Sequence, residues 1–408
     1  MNKSFNRWWG VLTLMMVVVI AYIDRVNVSV LIVDSDFLRA FGIEGDRQGQ
    51  GSMMTTFLLG YGISALILTP LYERFLGYRR GLLVSMLAWA VLTAIAPWTG
   101  SLFAFLILRT VLGMSEGPLF SLKTMYVRDW FSANERGKPN AVSSMGVSLG
   151  LAVGFPLISW LLREHGWHSS FEMLAMLNLL LGLPLIYWFI HENPQIAKVA
   201  STKPNIGLKQ TVHGAFTMPH LIAMLAVEVF TLAYLWGSSS WLPAYLVQDK
   251  GFSLKEMGWM SSLPFVVGIV ANFLGGLLVD LLPQQRVPLI FTFGGLATAL
   301  SVFMLMGADN TATTVVYLLI ASACWALQGA AIPSIVQALS PAASVGSAYG
   351  IINGVGNLAA AFMPMAMGSM MKGNVAGGFS LLVCSQVLAA VSGFWIFLRW
   401  SSGLAAKS

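Results

Sequence analysis

Apolar stretches of about twenty residues, each interrupted by a short cluster of charged, Gly or Pro residues, run the whole length of the chain. A helix that crosses a bilayer needs about 20 consecutive apolar residues. The pattern predicts twelve such spans, over about 8–33, 50–75, 81–97, 101–127, 139–162, 170–190, 218–247, 256–281, 287–307, 312–339, 343–371 and 378–399. The longest polar connection, 191–217, is basic (Lys198, Lys203, Lys209) and carries Pro194 and Pro204. It divides the chain into 1–190 and 218–408, six spans each. The halves echo one another: Glu73 after span 2 and Asp280 after span 8 are 207 residues apart, and Gly146…Pro156 and Gly354…Pro364 are 208 apart. Matching offsets at two places indicate a parallel six-span repeat, an arrangement that places a binding site near the midplane between the halves.

Composition narrows the class. Of 408 residues, 57% are hydrophobic and 10% charged, against roughly 25% charged in soluble domains. That excludes a cytosolic enzyme, a nucleic-acid binder and a disordered chain. The expected fold is an all-α membrane protein of 12 helices in two six-helix bundles. With both termini inside, 14 of the 23 Lys and Arg fall on the cytoplasmic side, six outside and three within the membrane, as the positive-inside rule requires. The net charge of +6 therefore reflects loops that fix orientation rather than a nucleic-acid partner. The N-terminal run is too long for a signal peptide and carries Asp24 and Arg25, so it reads as the first span. The two cysteines, Cys324 and Cys384, lie in apolar stretches. The five histidines fall in or beside loops, and no catalytic or metal-ligand spacing appears. Neither enzyme, metal nor cofactor is expected, and the chain is expected to act as a monomer.

Six ionisable residues fall within spans: Asp24 and Arg25 in span 1, Arg109, Glu116 and Lys123 in span 4, and Glu228 in span 7. An intramembrane charge costs at least about 2.5–3.5 kcal/mol, which makes each a functional candidate. Arg109, Glu116 and Lys123 are spaced by seven, nearly two helical turns, and so project from one face. Asp24 reaches the depth of Arg109 and is expected to pair with it, leaving Glu116 the less compensated acid. Pro118 should kink span 4 beside that acid. A carboxylate poised to take up a proton, beside cations able to hold an anion, is the chemistry of a proton-coupled anion carrier. Arg25 points about 100° away from Asp24, so it is expected to face a central cavity and receive a carboxylate through its bidentate fork. Lys123 either contacts the ligand or snorkels to the cytoplasmic surface, and Glu228 is a further candidate. Tyr22, Tyr61, Trp236, Gln328, Asn353 and Asn357 are the polar groups expected to complete the lining.

The loop Glu73-Arg74…Gly77-Tyr78-Arg79-Arg80 resembles the signature loop of the major facilitator superfamily, with Glu in place of its usual Asp. Asp280 ends the second copy. Such an acid can close the cytoplasmic side by meeting the positive N-terminus of a neighbouring helix. Narrower segments resemble the anion:cation symporter family, which includes bacterial sugar-acid carriers and the vesicular glutamate and sialic-acid carriers. They are Tyr22-Ile-Asp24-Arg25-Val-Asn27, Arg109…Glu116-Gly117-Pro118 running on to Glu135-Arg136-Gly137, Trp241-Leu-Pro243-Ala-Tyr245, Gly251…Lys255-Glu256 and Asn353-Gly-Val-Gly-Asn357.

The resemblance implies that Arg25 contacts the substrate carboxylate, that Asp24 and Glu116 take part in proton coupling with Arg109 paired to them, and that Tyr22, Tyr61, Asn353 and Asn357 shape the pocket. It implies gate roles for Glu73, Arg74, Asp280, Glu135 and Arg136. The expected activity is proton-coupled import of a small organic anion across a bacterial inner membrane. Exporters of drug-like or siderophore-like compounds in the same fold are the alternative. H⁺ is the expected coupling ion.

Overall fold

In the computed structural model the residues described are 3–32, 34–44, 46–193, 207–246, 250–252, 254–308, 310–370 and 375–405, and their regular structure is entirely helical. Pro194, Lys198, Lys203 and Pro204 of the predicted linker lie outside the described residues.

The first half is built from α1 (Lys3–Leu31), α2 (Arg47–Leu71), α3 (Gly77–Ile95), α4 (Leu102–Glu116), α5 (Leu119–Trp130), α6 (Gly137–His165) and α7 (Trp167–Met176). The last continues through a π-helical segment into Leu183–Phe189. The second half contains α8 (Leu221–Ala244), α9 (Leu254–Leu281), α10 (Leu289–Met306), α11 (Thr311–Ala326), α12 (Ala331–Leu339), α13 (Val345–Ala360), α14 (Met363–Met370) and α15 (Ser380–Ala405).

Two departures from the predicted spans have local causes. Eleven rather than twelve uninterrupted stretches among the described residues are long and apolar enough to cross a membrane, because spans 2 and 3 run together as Ser52–Trp98. Residues Tyr72–Leu76 form a π-helical turn instead of an open loop, and Gly77, at φ 68°, redirects the chain into α3. Span 4 is two helices. The Gly117–Pro118 step lies between α4 and α5, where proline offers no N–H to the preceding turn. Span 10 is likewise interrupted, between α11 and α12.

Packing repeats in the two halves. α1 lies on α6, and α2 on α4; correspondingly, α8 lies on α13, and α9 on α11. The halves meet along α6 with α9 and α2 with α13. Small residues permit the second contact: a Cβ on Gly62 would sit 2.9 Å from the Gly354 carbonyl oxygen, and one on Gly354 2.8 Å from that of Gly62. Close backbone approach of this kind is how membrane helices associate where lipid supplies no hydrophobic drive. Large apolar side chains such as Trp98, Phe103, Ile222 and Phe293 point outward, the surface expected of helices solvated by lipid.

Candidate functional site

The six intramembrane charges are all buried, and helix geometry sorts them into two pairs and two singles. Asp24 and Arg25 are neighbours on α1 but diverge around its axis. Asp24 Oδ1 faces Arg109 Nη1 at 3.9 Å, as the sequence predicts, while its Oδ2 accepts a 3.3 Å hydrogen bond from Thr93 on α3. Arg25 turns the other way. Its Nε and Nη2 both donate to Glu116 Oε2, at 3.1 and 3.0 Å. Glu116 is therefore not the less compensated acid that sequence spacing suggested, and Arg25 is not left free. As the last residue of α4, at the Gly117–Pro118 break, Glu116 is positioned to face α1.

Aromatic rings enclose that pair. The Arg25 guanidinium lies 4.4 Å from the Tyr22 ring centroid and 4.7 Å from that of Tyr61, within cation–π range. Arg25 and Tyr61 belong to the lining of a central cavity of about 90 Å³, shared between the halves, that also includes Tyr22, Glu228, Gln328, Tyr349, Asn353 and Asn357. Space on this scale holds a few water molecules. The Tyr61 hydroxyl, Glu116 Oε1 and Gln328 Oε1 are buried with no hydrogen-bond partner among the described residues, and groups in that position call for water or a ligand.

Across the cavity Glu228 on α8 accepts a 3.2 Å bond from Asn353 Nδ2. Asn357 Nδ2 donates to Asn353 Oδ1 at 3.1 Å, and Trp236 Nε1 donates to Asn357 Oδ1 at 3.0 Å. The Trp236 ring stacks on Tyr22 with centroids 6.3 Å apart. Trp236 is thus behind the cavity wall rather than in it: it fixes Asn357 and joins α8 to α1. Lys123 does not snorkel. It is fully buried, donating from Nζ to Ser144 Oγ at 2.8 Å, with Nζ 4.7 Å from the Phe120 ring centroid.

Hydrogen bonds between the halves close one end. Glu73 accepts from Gly346 N at 3.0 Å, from Ser347 N at 2.7 Å and from Ser347 Oγ at 2.5 Å, at the start of α13. Asp280 accepts from Gly137 N at 2.8 Å and Lys138 N at 3.1 Å, at the start of α6. Each acid, 207 residues from its counterpart, meets the exposed N–H groups and positive dipole end of a helix from the other half. Gly137 is required there, since a Cβ would collide with Asp280 and lie 2.5 Å from the Gly276 carbonyl oxygen.

Other predicted gate residues behave differently. Arg136 Nη1 reaches across to the Gln337 carbonyl at 3.3 Å. Glu135 pairs instead with Arg7 of its own half, at 3.2 Å. The Ser132 hydroxyl and Arg7 hold its carboxylate below the usual range. Arg74 lies against the Phe75 ring of its own helical turn and, among the described residues, makes no hydrogen bond or ion pair across the interface. Sequence reasoning missed the cross-half links of Arg128 to the Ala342 carbonyl and of Asn140 to Gln337 at 2.8 Å. Asn140 and Gln337, buried amides in apolar spans, were the available signal.

Comparison with known proteins agrees with this architecture. A model of the Major Facilitator Superfamily matches residues 14–364. The probable galactarate/D-glucarate transporter GudP of Bacillus subtilis is 26% identical, covering 97% of this chain and 93% of its own. The probable L-galactonate transporter of Escherichia coli is 24% identical over 95% and 88%. Among solved structures, the proton:xylose symporter XylE superposes with a TM-score of 0.79 at 17% identity, over 96% of this chain and 95% of that one. The chain spans nearly the full length of these proteins, and the match covers both halves with the cavity between them; it belongs to the major facilitator superfamily, a family of membrane transporters and not of enzymes.

Proposed function

We propose that this transporter is a proton-coupled symporter that imports a small organic anion, such as a sugar acid, a dicarboxylate or an aromatic carboxylate, across a bacterial inner membrane by alternating access. The observation that carries the reading is the Arg25–Glu116 contact beside the cavity. A guanidinium held by one carboxylate oxygen through two donors is a carboxylate receptor already occupied by an internal anion. A proton on Glu116 removes that competitor, and an incoming carboxylate takes the fork. Loss of the substrate on the far side leaves Arg25 a bare buried cation, which draws the proton off Glu116 as the pair re-forms. Proton and anion thereby occupy the site together or not at all, which is the thermodynamic requirement for symport.

The orphaned Tyr61 hydroxyl and the Asn353–Asn357 amides supply neutral donors and acceptors suited to a hydroxylated acid. Related proteins named for galactarate, glucarate, galactonate and hexuronate support that class. Glu73 and Asp280 lock the cytoplasmic side in this state. The test is uptake into proteoliposomes of sugar acids under an imposed inward proton gradient. Glu116→Gln is expected to abolish accumulation while retaining counterflow exchange; accumulation undiminished by the substitution would overturn the assignment.

A further inference from the structure

Four of the six intramembrane charges are matched: Asp24 with Arg109, and Arg25 with Glu116. Lys123 is held behind the cavity wall by Ser144. Glu228 makes no ion pair among the described residues, yet it lines from the second half the cavity that Arg25 lines from the first. Its stem lies against α13 only because position 356 is glycine: a Cβ there would sit 2.6 Å from Glu228 Cγ.

Hydrogen bonds fix what this wall presents. The Trp236 indole only donates, so Asn357 must turn Oδ1 toward it, at 3.0 Å. Asn357 then offers Nδ2 to Asn353 Oδ1, at 3.1 Å, and Asn353 offers Nδ2 to Glu228 Oε1, at 3.2 Å. Every dipole in this relay points its positive end at Glu228, as suits a carboxylate acceptor. Glu228 Oε2 makes no hydrogen bond among the described residues.

A second relay orients Gln328. Gln386 Nε2 donates to the Phe230 carbonyl at 3.1 Å, which turns Gln386 Oε1 toward Gln328 Nε2, at 3.5 Å. Gln328 Oε1 is thereby left a buried acceptor without a partner among the described residues, on a side chain that also lines the cavity. The second half therefore brings two unpaired oxygen acceptors to the site, one of them charged. A substrate hydroxyl satisfies such acceptors. A second carboxylate brings no donor and sets two anions together in a low dielectric. A site built to accept from a hydroxyl rejects an analogue that lacks it far more strongly than a lost apolar contact would.

We propose that Glu228 is the specificity-determining residue of this site: it accepts from a substrate hydroxyl and excludes a second carboxylate. The transporter then takes hydroxylated acids with one carboxylate, held by Arg25, and rejects diacids of the same length. This inference rests on the organic-anion reading above and narrows it.

The experiment measures binding to the purified protein in detergent, by calorimetry, of a six-carbon aldonic acid, the aldaric acid of the same length and hexanoate. It is run near neutral pH, where both ends of the diacid are ionised. Wild type is expected to bind the aldonic acid more tightly than either of the others by about tenfold or more. Glu228→Gln keeps an oxygen for Asn353 and turns an NH₂ toward the cavity, so it should move the two sugar acids in opposite directions. The aldonic acid is expected to weaken by about threefold and the diacid to tighten by about tenfold. A gain of affinity for one ligand does not arise from damage to the fold. Wild-type affinity for the diacid or for hexanoate equal to that for the aldonic acid, or failure of Glu228→Gln to tighten the diacid, would overturn the proposal and leave the organic-anion reading intact. The wild-type series decides the matter even if the variant does not fold. Binding of none of the three acids would overturn the organic-anion reading itself.

Discussion

The bonds of Glu73 and Asp280 to helix N-termini make a quantitative claim about the conformational equilibrium. Glu73 accepts three hydrogen bonds from α13, and Asp280 two from α6. Hydrogen bonds to a charged group contribute about 1.5–3 kcal/mol each, and an anion at a helix N-terminus a further 0.3–1 kcal/mol. Water recovers most of this when the gate opens. Glu73→Gln removes the charge and turns an NH₂ toward one of the three donors. Allowing for the bonds that its remaining oxygen keeps, we expect a loss of about 2 kcal/mol from the closed state, close to a thirtyfold shift in the closed-to-open ratio. Asp280→Asn, with two bonds at stake, should shift it less.

Spin labels at Arg80 and Gln284, both exposed near that end, in a background lacking Cys324 and Cys384, would report the change by double electron–electron resonance. The expected result is a longer-distance population that grows from wild type to Asp280→Asn to Glu73→Gln. Unchanged distance distributions in both variants would refute the assignment of these acids as the cytoplasmic lock, and a larger effect at Asp280 would refute the bond-by-bond reasoning.

Two further outcomes follow from the site. Arg109 and Asp24 are buried partners, and removing one side of such a pair is typically destabilising by about 3–5 kcal/mol; thermal unfolding should show Arg109→Gln far less stable than wild type and Asp24→Asn/Arg109→Gln restored above it. Additive losses would mean that the two do not act as a pair. Trp236→Phe keeps the ring against Tyr22 but deletes the bond to Asn357; substrate affinity should fall several-fold, in line with about 1 kcal/mol for a neutral hydrogen bond. A loss as large as that of Arg25→Ala would instead place Trp236 in direct contact with the substrate.

Much of the fold was legible in the sequence because lipid imposes a simple rule on it. Every span must satisfy its own backbone hydrogen bonds, so length and hydropathy locate the helices. The seven-residue spacing of Arg109, Glu116 and Lys123 marked the functional face for the same reason, and Asp24 found Arg109 because their depths match. Partner choice at Arg25 was not legible. It depends on the rotation of α1 and on the break at Gly117–Pro118, which turns Glu116 toward that helix. The position of Trp236 behind the wall, and the retention of Glu135 in its own half, likewise depend on packing that periodicity does not encode.

The chain alone determined that this is a polytopic helical membrane protein made of two repeated halves, with six charges in its interior, because the bilayer penalises each polar group by depth and thereby writes topology into composition. Only the tertiary structure decided which charges cancel. Ion pairing falls steeply with separation in a low dielectric. Rotations of a few tens of degrees in the packed helices were therefore enough to give Arg25 to Glu116, to leave Glu228 facing the cavity and to leave Lys123 behind its wall on Ser144.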